Sequence, residues 1–504
     1  LNATINMLLE IVSLISALAI LFWLFIKNRY RYWERCGIAS VPAEFPFGSV
    51  KECLLTKKTV GETLAGFYQK HQDKKLIGFY APLQPMILIR DPELIKTVLV
   101  KDFNSFCDNG FELSEKIDPL LGYNPFGVKG LQEWKQIRSF HTPLHSMVKI
   151  KSMVPQMIKI GMNFAKYIEN NLGKSIEMKQ LARLYTNDVV GSCAFGVESD
   201  SFFDENSPLK IYTTGELFGV ESEANYACLS AFFLPFVNNI FRWRTMSKKV
   251  EDFFIEMAKS CMNHRNESGL IRQDMIQLLI AYNNKALQEN MKQFSDQELA
   301  ANCMTFFIDG VETTSVALSF ALFEIALNTI VQNKLRDEIK TAVKDISELD
   351  FDKLWSLQYL DMVVVEALRK YPPVNLLSRL CVQEILMDGV KVKPGTKVFI
   401  PVHGIHRDPK YYPEPEHFLP ERFTKEKRSQ MNKFTYLPFG EGPRTCLGNK
   451  FAQTEMKVAL VALISKFHLQ LSKENEYGRS LELDEKSVFL IAPKGGVNII
   501  FTPV

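Results

Sequence analysis

The sequence predicts a mainly α-helical chain with small β-sheets, one large domain standing behind an N-terminal transmembrane helix. Three observations carry that reading. Residues 7–26 are apolar apart from Glu10, Ser13 and Ser16, and about 20 such residues span a bilayer as a helix. Ser295-Asp296-Gln297-Glu298 is a capping box, and the apolar pattern it opens runs past Ile330 as one long helix. The strand signals are short and lie early and late. Leu76–Tyr80 and residues 86–89 flank a Pro82/Pro85 turn, and Ile385–Met387 and Val390–Val392 flank the hairpin pair Asp388-Gly389.

The chain has 504 residues and a net charge of +3. That length has room for two or three average domains, but no linker, low-complexity run or internal repeat divides it. The near-balanced charge gives no reason to expect a nucleic-acid partner. Nine cysteines without a CxxC pair read as reduced thiols facing a cytosol. The 37 phenylalanines suit a large apolar core and an apolar pocket.

Lys27, Arg29, Arg31 and Arg35 follow the apolar run. By the positive-inside rule they stay cytosolic and the N-terminus faces the lumen. A cleaved signal peptide would have a shorter apolar core and its charges on the other side. The expected boundaries are 1–27 for the anchor, 28–50 for a basic, proline-containing hinge, and 51–504 for the large domain.

Asp91-Pro92-Glu93 opens a helix, with Asp as N-cap and Pro at the first position. Trp134 and Arg138 stand one turn apart on a helix face, which alone marks an ordinary amphipathic segment. Residues 231–243 are dense in aromatics and poor in charge, which fits buried core or a face dipping into a bilayer surface. In the long helix, Thr305, Ile308, Asp309, Glu312 and Thr313 recur at i, i+3 and i+4, so much of the set is expected on one face. Asn302, Asp309, Glu312 and Glu324 argue against a second membrane span, and polar groups in so apolar a helix need partners or a function. Glu366 and Arg369 form an i,i+3 pair of a kind common on surfaces. His406, in His-Arg-Asp-Pro, reads as a polar loop residue.

Phe439-Gly440-Glu441-Gly442-Pro443-Arg444-Thr445-Cys446-Leu447-Gly448 concentrates the chemistry. The apolar pattern of Phe451, Met456, Val458, Ala459, Val461, Ala462 and Ile464 follows, so Cys446 sits at a helix mouth. Outward N–H groups there are expected to lower the thiol's pKa. Gly448, lacking a Cβ, lets a flat ligand lie against the helix start, and Arg444 offers a cationic fork to a carboxylate. A lone thiolate with a cation two residues away suits one axial bond to the iron of a macrocycle that carries its own carboxylates.

The spacing F-x-x-G-x-R-x-C-x-G is the haem-binding signature of the cytochrome P-450 superfamily, and the chain resembles that family over essentially its whole length. The resemblance implies the P450 fold, with residues 51–504 a single haem-binding monooxygenase domain, haem b as cofactor and Cys446 as the axial iron ligand. It implies that Trp134, Arg138, Arg379, Phe439, Arg444 and Gly448 hold the haem. Asp309-Gly310-Val311-Glu312-Thr313-Thr314 resembles the family's oxygen-activation motif, with Glu312 and Thr313 as the proton-relaying pair. Thr305, Ile308, Asp309, Val374 and Leu376 would line the substrate pocket. Glu366, Arg369 and the Arg422 of Phe418-x-Pro420-Glu421-Arg422-Phe423 would form a structural brace.

The texture is most similar to insect microsomal enzymes that oxidise plant toxins and insecticides. The reaction implied is insertion of one oxygen atom from O2 into an apolar organic substrate, a xenobiotic or an endogenous lipid or hormone. No flavin or nicotinamide fingerprint is present, so NADPH–cytochrome P450 reductase is the implied electron donor, with cytochrome b5 as a second partner. Lys135, Lys433 and Lys450 lie near the haem motifs, either as docking charges or as solvated lysines. The implied location is the endoplasmic reticulum membrane, single-pass, with the catalytic domain cytosolic. Two alternatives stay open: a reductase-independent haem-thiolate isomerase or dehydratase, and a non-catalytic haem sensor or carrier. Asp309 departs from most relatives of the family, which carry Ala or Gly there. It is open to three readings: a protonated hydrogen-bond donor, a partner for a cationic amine substrate, or an ester to a haem methyl like that formed by Glu in the fatty-acid ω-hydroxylases.

Overall fold

The computed structural model describes residues 2–213, 222–272, 274–475 and 481–504. Helix α1, Asn2–Arg29, ends on Lys27 and Arg29. Its span Thr4–Arg29 has a mean hydropathy of 2.5 with only 6% of its apolar window buried, so it projects as a helix long and apolar enough to cross a bilayer. Of the segment 28–50, read as a hinge, residues 28 and 29 belong to α1 and the part around Trp33 docks on the domain behind it. Trp33 is buried, and its Nε1 donates to the Phe79 carbonyl at 3.2 Å.

Among the described residues the strands form three small sheets. β1 (Leu76–Tyr80), β2 (Pro85–Ile89), β4 (Leu377–Leu380) and β7 (Lys397–Ile400) run in the order β1-β2-β7-β4. The β2–β7 pair is parallel, and β4 lies antiparallel to β7 with Arg379 opposite Val398. β3 (Ser175–Glu177), β8 (Phe467–Leu471) and β9 (Asn498–Pro503) form an antiparallel sheet with β9 central. β5 (Ile385–Met387) and β6 (Val390–Val392) make the expected hairpin.

The helical core comprises α2 (Leu131–His141), α3 (Met147–Glu169), α4 (Met178–Val190), α5 (Lys248–Ser268), α6 (Asp296–Leu327), α7 (Gln358–Lys370) and α8 (Asn449–Ile464). α6 begins at the predicted capping box: Ser295 Oγ accepts from the Glu298 N–H at 3.2 Å, and the Glu298 carboxylate accepts from the Ser295 N–H at 2.8 Å. Its apolar window is 78% buried, so it is a core helix and not a second span. α6 packs against α4 and α5, and α8 packs against α3. The α4–α6 crossing depends on Gly310, where a Cβ would come within 2.9 Å of Val190. In segment 231–243, Ala231, Phe232 and Phe233 are core, whereas Phe236, Ile240 and Phe241 are exposed.

Candidate functional site

The loop before α8 holds Cys446 by its own backbone. The Cys446 N–H donates to the Phe439 carbonyl at 2.8 Å, and the Thr445 N–H to the Gly442 carbonyl at 3.0 Å. Gly442 has φ +79°, and a Cβ on it would meet the Leu99 carbonyl oxygen at 2.1 Å; only glycine fits that turn. Gly448 caps α8. A Cβ there would stand 3.9 Å from the Cys446 sulfur, in the space a flat ligand of that sulfur would use.

Cys446 and Asp309 both present free surface, yet both lie so deep in protein that burial dominates their titration. Their free surfaces therefore face the interior, close enough for Asp309 to act on the thiol. Burial pushes the Cys446 thiol up to about 11, and the Asp309 carboxylate adds to the rise; the Gly448 N–H and Arg138 act the other way. This corrects the expectation of a thiol pKa lowered by the helix mouth, because desolvation of the anion outweighs one N–H and one cation. A bound metal cation would favour the thiolate in place of the proton. Burial likewise pushes Asp309 up to about 7, against a hydrogen bond from Asn124.

Three arginines converge beside the thiol. Arg138 Nη2 donates to the Thr445 carbonyl at 2.5 Å. Arg444 bonds the carbonyls of Cys107, Pro125 and Val128, stands 4.0 Å from Asp108, and lies 4.8 Å over the Trp134 ring. Arg379 Nη1 donates to Asn109 Oδ1 at 2.9 Å and to the Ser378 carbonyl at 2.8 Å, while its buried Nε has no partner. Burial, then the charge of Arg444, pulls Arg379 down to about 9. Burial also pulls Arg444 down to about 10, where Asp108 resists and Arg138 contributes. Buried cations that depress one another, one with an orphaned N–H, fit a ligand carrying carboxylates. Phe439 is half-buried at the edge of the helical core.

On α6 the expected set is not equally open. Asp309 and Thr313 open toward the interior space, whereas Thr305, Ile308 and Glu312 are buried against neighbours. Thr313 Oγ1 donates to the Asp309 carbonyl at 2.5 Å, and Thr305 bonds its own helix at Ala301. Glu312 turns to α4, where Arg183 holds it in a buried ion pair with Nε–Oε1 2.5 Å. A cavity of about 40 Å³, room for water, lies beside Glu312 and is lined by Lys179, Val316 and residues 486–492. Arg183 and this cavity escaped the sequence reading, because a pair 129 residues apart has no local signal. Val374 is half-buried ahead of β4, and Leu376 is part of the sheet core.

The Glu366 carboxylate, wholly buried, takes Arg369 Nε at 2.7 Å and Nη2 at 2.9 Å, Arg422 Nε at 3.1 Å, and the Leu419 N–H at 3.0 Å. His406 is not the polar loop residue expected. It is fully buried, and its Nε2 accepts from the Leu437 N–H at 2.8 Å while Nδ1 donates to the Arg369 carbonyl at 2.9 Å. It thus ties the brace to the chain entering the cysteine loop. A separate cleft of about 1000 Å³ opens near Lys116, Glu133 and Glu298. Cys446, Asp309 and Thr313 are not among its walls, so the thiol and not this cleft locates the chemistry.

The sequence model of the family Cytochrome P450 matches residues 45–499. The chain belongs to the cytochrome P450 family. It is similar to insect P450s along its length: 33% identical to cytochrome P450 6k1 of Blattella germanica, covering 97% of this chain and 96% of that one. Probable cytochrome P450 6a13 of Drosophila melanogaster is 32% identical over 98% of each chain. Cytochrome P450 9e2 of Blattella germanica is 33% identical over 91% of each. Haem iron as cofactor and haem monooxygenase chemistry follow from the family, and the arginine cluster, the Gly448 cradle and the interior thiol of this P450 fit that group.

Proposed function

We propose that this P450 is a membrane-anchored monooxygenase of the endoplasmic reticulum, which oxidises an apolar organic substrate with electrons from NADPH through cytochrome P450 reductase. The observation that carries the reading is the interior thiol of Cys446, which keeps free surface deep in the protein as do Asp309 and Thr313 of α6. Haem b, when bound, supplies the one-electron and O2 chemistry. Cys446 Sγ would ligate its iron, and Arg138, Arg379 and Arg444, with Trp134 beneath Arg444, would neutralise its carboxylates. Thr313 Oγ1, one helical turn from Asp309, holds a proton at the interior surface. Glu312, fixed by Arg183 beside the small cavity near Lys179, passes protons from water toward that turn. Glu366, Arg369, Arg422 and His406 keep the cysteine loop rigid behind the site.

The apolar α1 with its following cations supports a cytosolic domain on a single span. The exposed Phe236, Ile240 and Phe241 support contact with membrane lipid by the segment over the domain. Lys135, Lys433 and Lys450 are exposed, Lys433 beside Glu441 at 3.2 Å, and they offer docking charge to the reductase or to cytochrome b5. The test is turnover of an apolar substrate panel by the full chain with and without added reductase and NADPH. Products that require both support the proposal. Products without reductase support the isomerase or dehydratase reading, and haem binding without turnover supports the carrier.

A further inference from the structure

Helix α1 does not leave the domain on a free linker. Its last turn is docked. Ile26 is buried, and Arg29 Nε donates to the Leu83 carbonyl at 3.3 Å. The Tyr30 hydroxyl donates to the Pro82 carbonyl at 2.9 Å and lies 3.3 Å from the Pro46 carbonyl. Helical bonding runs on into this contact, since the Tyr30 N–H donates to the Ile26 carbonyl at 2.9 Å. Arg35 Nη2 closes the corner on the Asn28 carbonyl, also at 2.9 Å. These contacts hold α1 in one direction relative to β1 and the β1–β2 turn.

The same docking sets the depth of a neighbouring turn. Residues 44–48 close on themselves: the Glu44 N–H donates to the Gly48 carbonyl and the Gly48 N–H to the Glu44 carbonyl, both at 2.8 Å. Gly48 has φ +67°, and a Cβ there would meet the Tyr80 carbonyl oxygen at 2.3 Å, so the turn is seated against β1. Its tip, Phe45-Pro46, is exposed. The Phe45 ring meets the Phe22 ring of α1 edge-on, with centroids 6.5 Å apart. Phe22 precedes Ile26, the end of the apolar run, by one helical turn, about 6 Å along the axis. The run is about as long as the hydrocarbon core is thick, so Phe22 lies within the hydrocarbon on the cytosolic side and Phe45 shares its depth.

A lone exposed phenylalanine on a wetted surface needs no explanation; one packed on a membrane span is surrounded by lipid. The nearby charges conform. Lys27 Nζ lies 4.9 Å over the Trp23 ring, and Lys51 Nζ pairs with Glu44 at 2.5 Å and stands 5.9 Å over the Phe47 ring. Aromatic rings carrying snorkelled cations belong at the level of the headgroups.

We propose that the tip Phe45-Pro46 inserts into the cytosolic leaflet beside α1, so that the bilayer grips span and domain as one rigid unit. This rests on the reading of α1 as a membrane span. It names a lipid contact separate from residues 236–241, and one that fixes how the domain stands on the membrane.

The test uses the full-length haem protein in phosphatidylcholine vesicles, with p-benzoylphenylalanine placed singly at position 22, 45 or 433. Illumination joins the benzophenone to a neighbouring C–H bond, and mass spectrometry reads the lipid adducts. Position 45 should give lipid adducts as position 22 does. Position 433, exposed beside Glu441 of the cysteine loop, should give none. A flexible Gly-Ser insert between Arg29 and Tyr30 should uncouple the turn from the span, lowering the yield at 45 and leaving that at 22. Adducts at 22 but none at 45 overturn the proposal, as do equal yields at 45 and 433, or a yield at 45 that the insert leaves unchanged. Absence of adducts at 22 would instead sink the reading of α1 as a span, so the two failures are distinct.

Discussion

Arg379 is buried with its Nε unpartnered, and the like charge of Arg444 adds to burial in pulling its pKa down. A buried guanidinium with an unpaired N–H and a like charge nearby is offset by an anionic ligand. Arg379→Leu should therefore speed loss of haem to an acceptor globin by roughly 10-fold, the loss of one charged hydrogen bond. Its fold should persist, because β4 keeps its backbone pairing with β7. A haem-loss rate equal to that of wild type would remove Arg379 from the cofactor site.

His141 makes stability depend on pH. Burial pulls its pKa down to about 4; the bond from its Nε2 to Asn302, at 2.9 Å, resists, and His145 and Arg138 contribute to the fall. The unfolded chain binds the proton near 6.5 and the folded chain only near 4. Its contribution is thus present in full above pH 6.5 and is lost as pH falls toward 4, up to about 3 kcal/mol. His141→Gln should flatten the fall in unfolding free energy over that window relative to wild type. Identical pH slopes for the two proteins would refute the assignment.

Thr313 is the hydroxyl that α6 presents to the interior space. Thr313→Ala should fold, bind haem and accept electrons, but form about 10²- to 10⁴-fold less product, the usual worth of a general acid–base group. More of the NADPH consumed should appear as peroxide. Coupling equal to that of wild type would take Thr313 out of the reaction.

What the sequence disclosed was local. The cysteine loop could be read because its glycines answer to fixed backbone demands, as Gly442 does against Leu99. The capping box of α6 and the Asp388-Gly389 hairpin are likewise decided within a few residues. What stayed hidden was set by pairing across the chain or by burial. Arg183 reaches Glu312 from a segment that carries no motif. His406 was misjudged because a polar residue in a polar tetrapeptide gives no sign that the fold will enclose it. The thiol of Cys446 was expected to be acidic from the helix mouth, and desolvation reversed the sign. Glu312 and Thr313 are neighbours in sequence, yet α6 turns one to Arg183 and the other to the interior.

The central claim is that Cys446 is the axial ligand of a haem iron, and the most direct measurement is the absorption of the reduced protein under carbon monoxide. Wild type should show the red-shifted band of thiolate ligation. Cys446→His should keep part of its haem but lose that band. A thiolate band that survives Cys446→His would contradict the account.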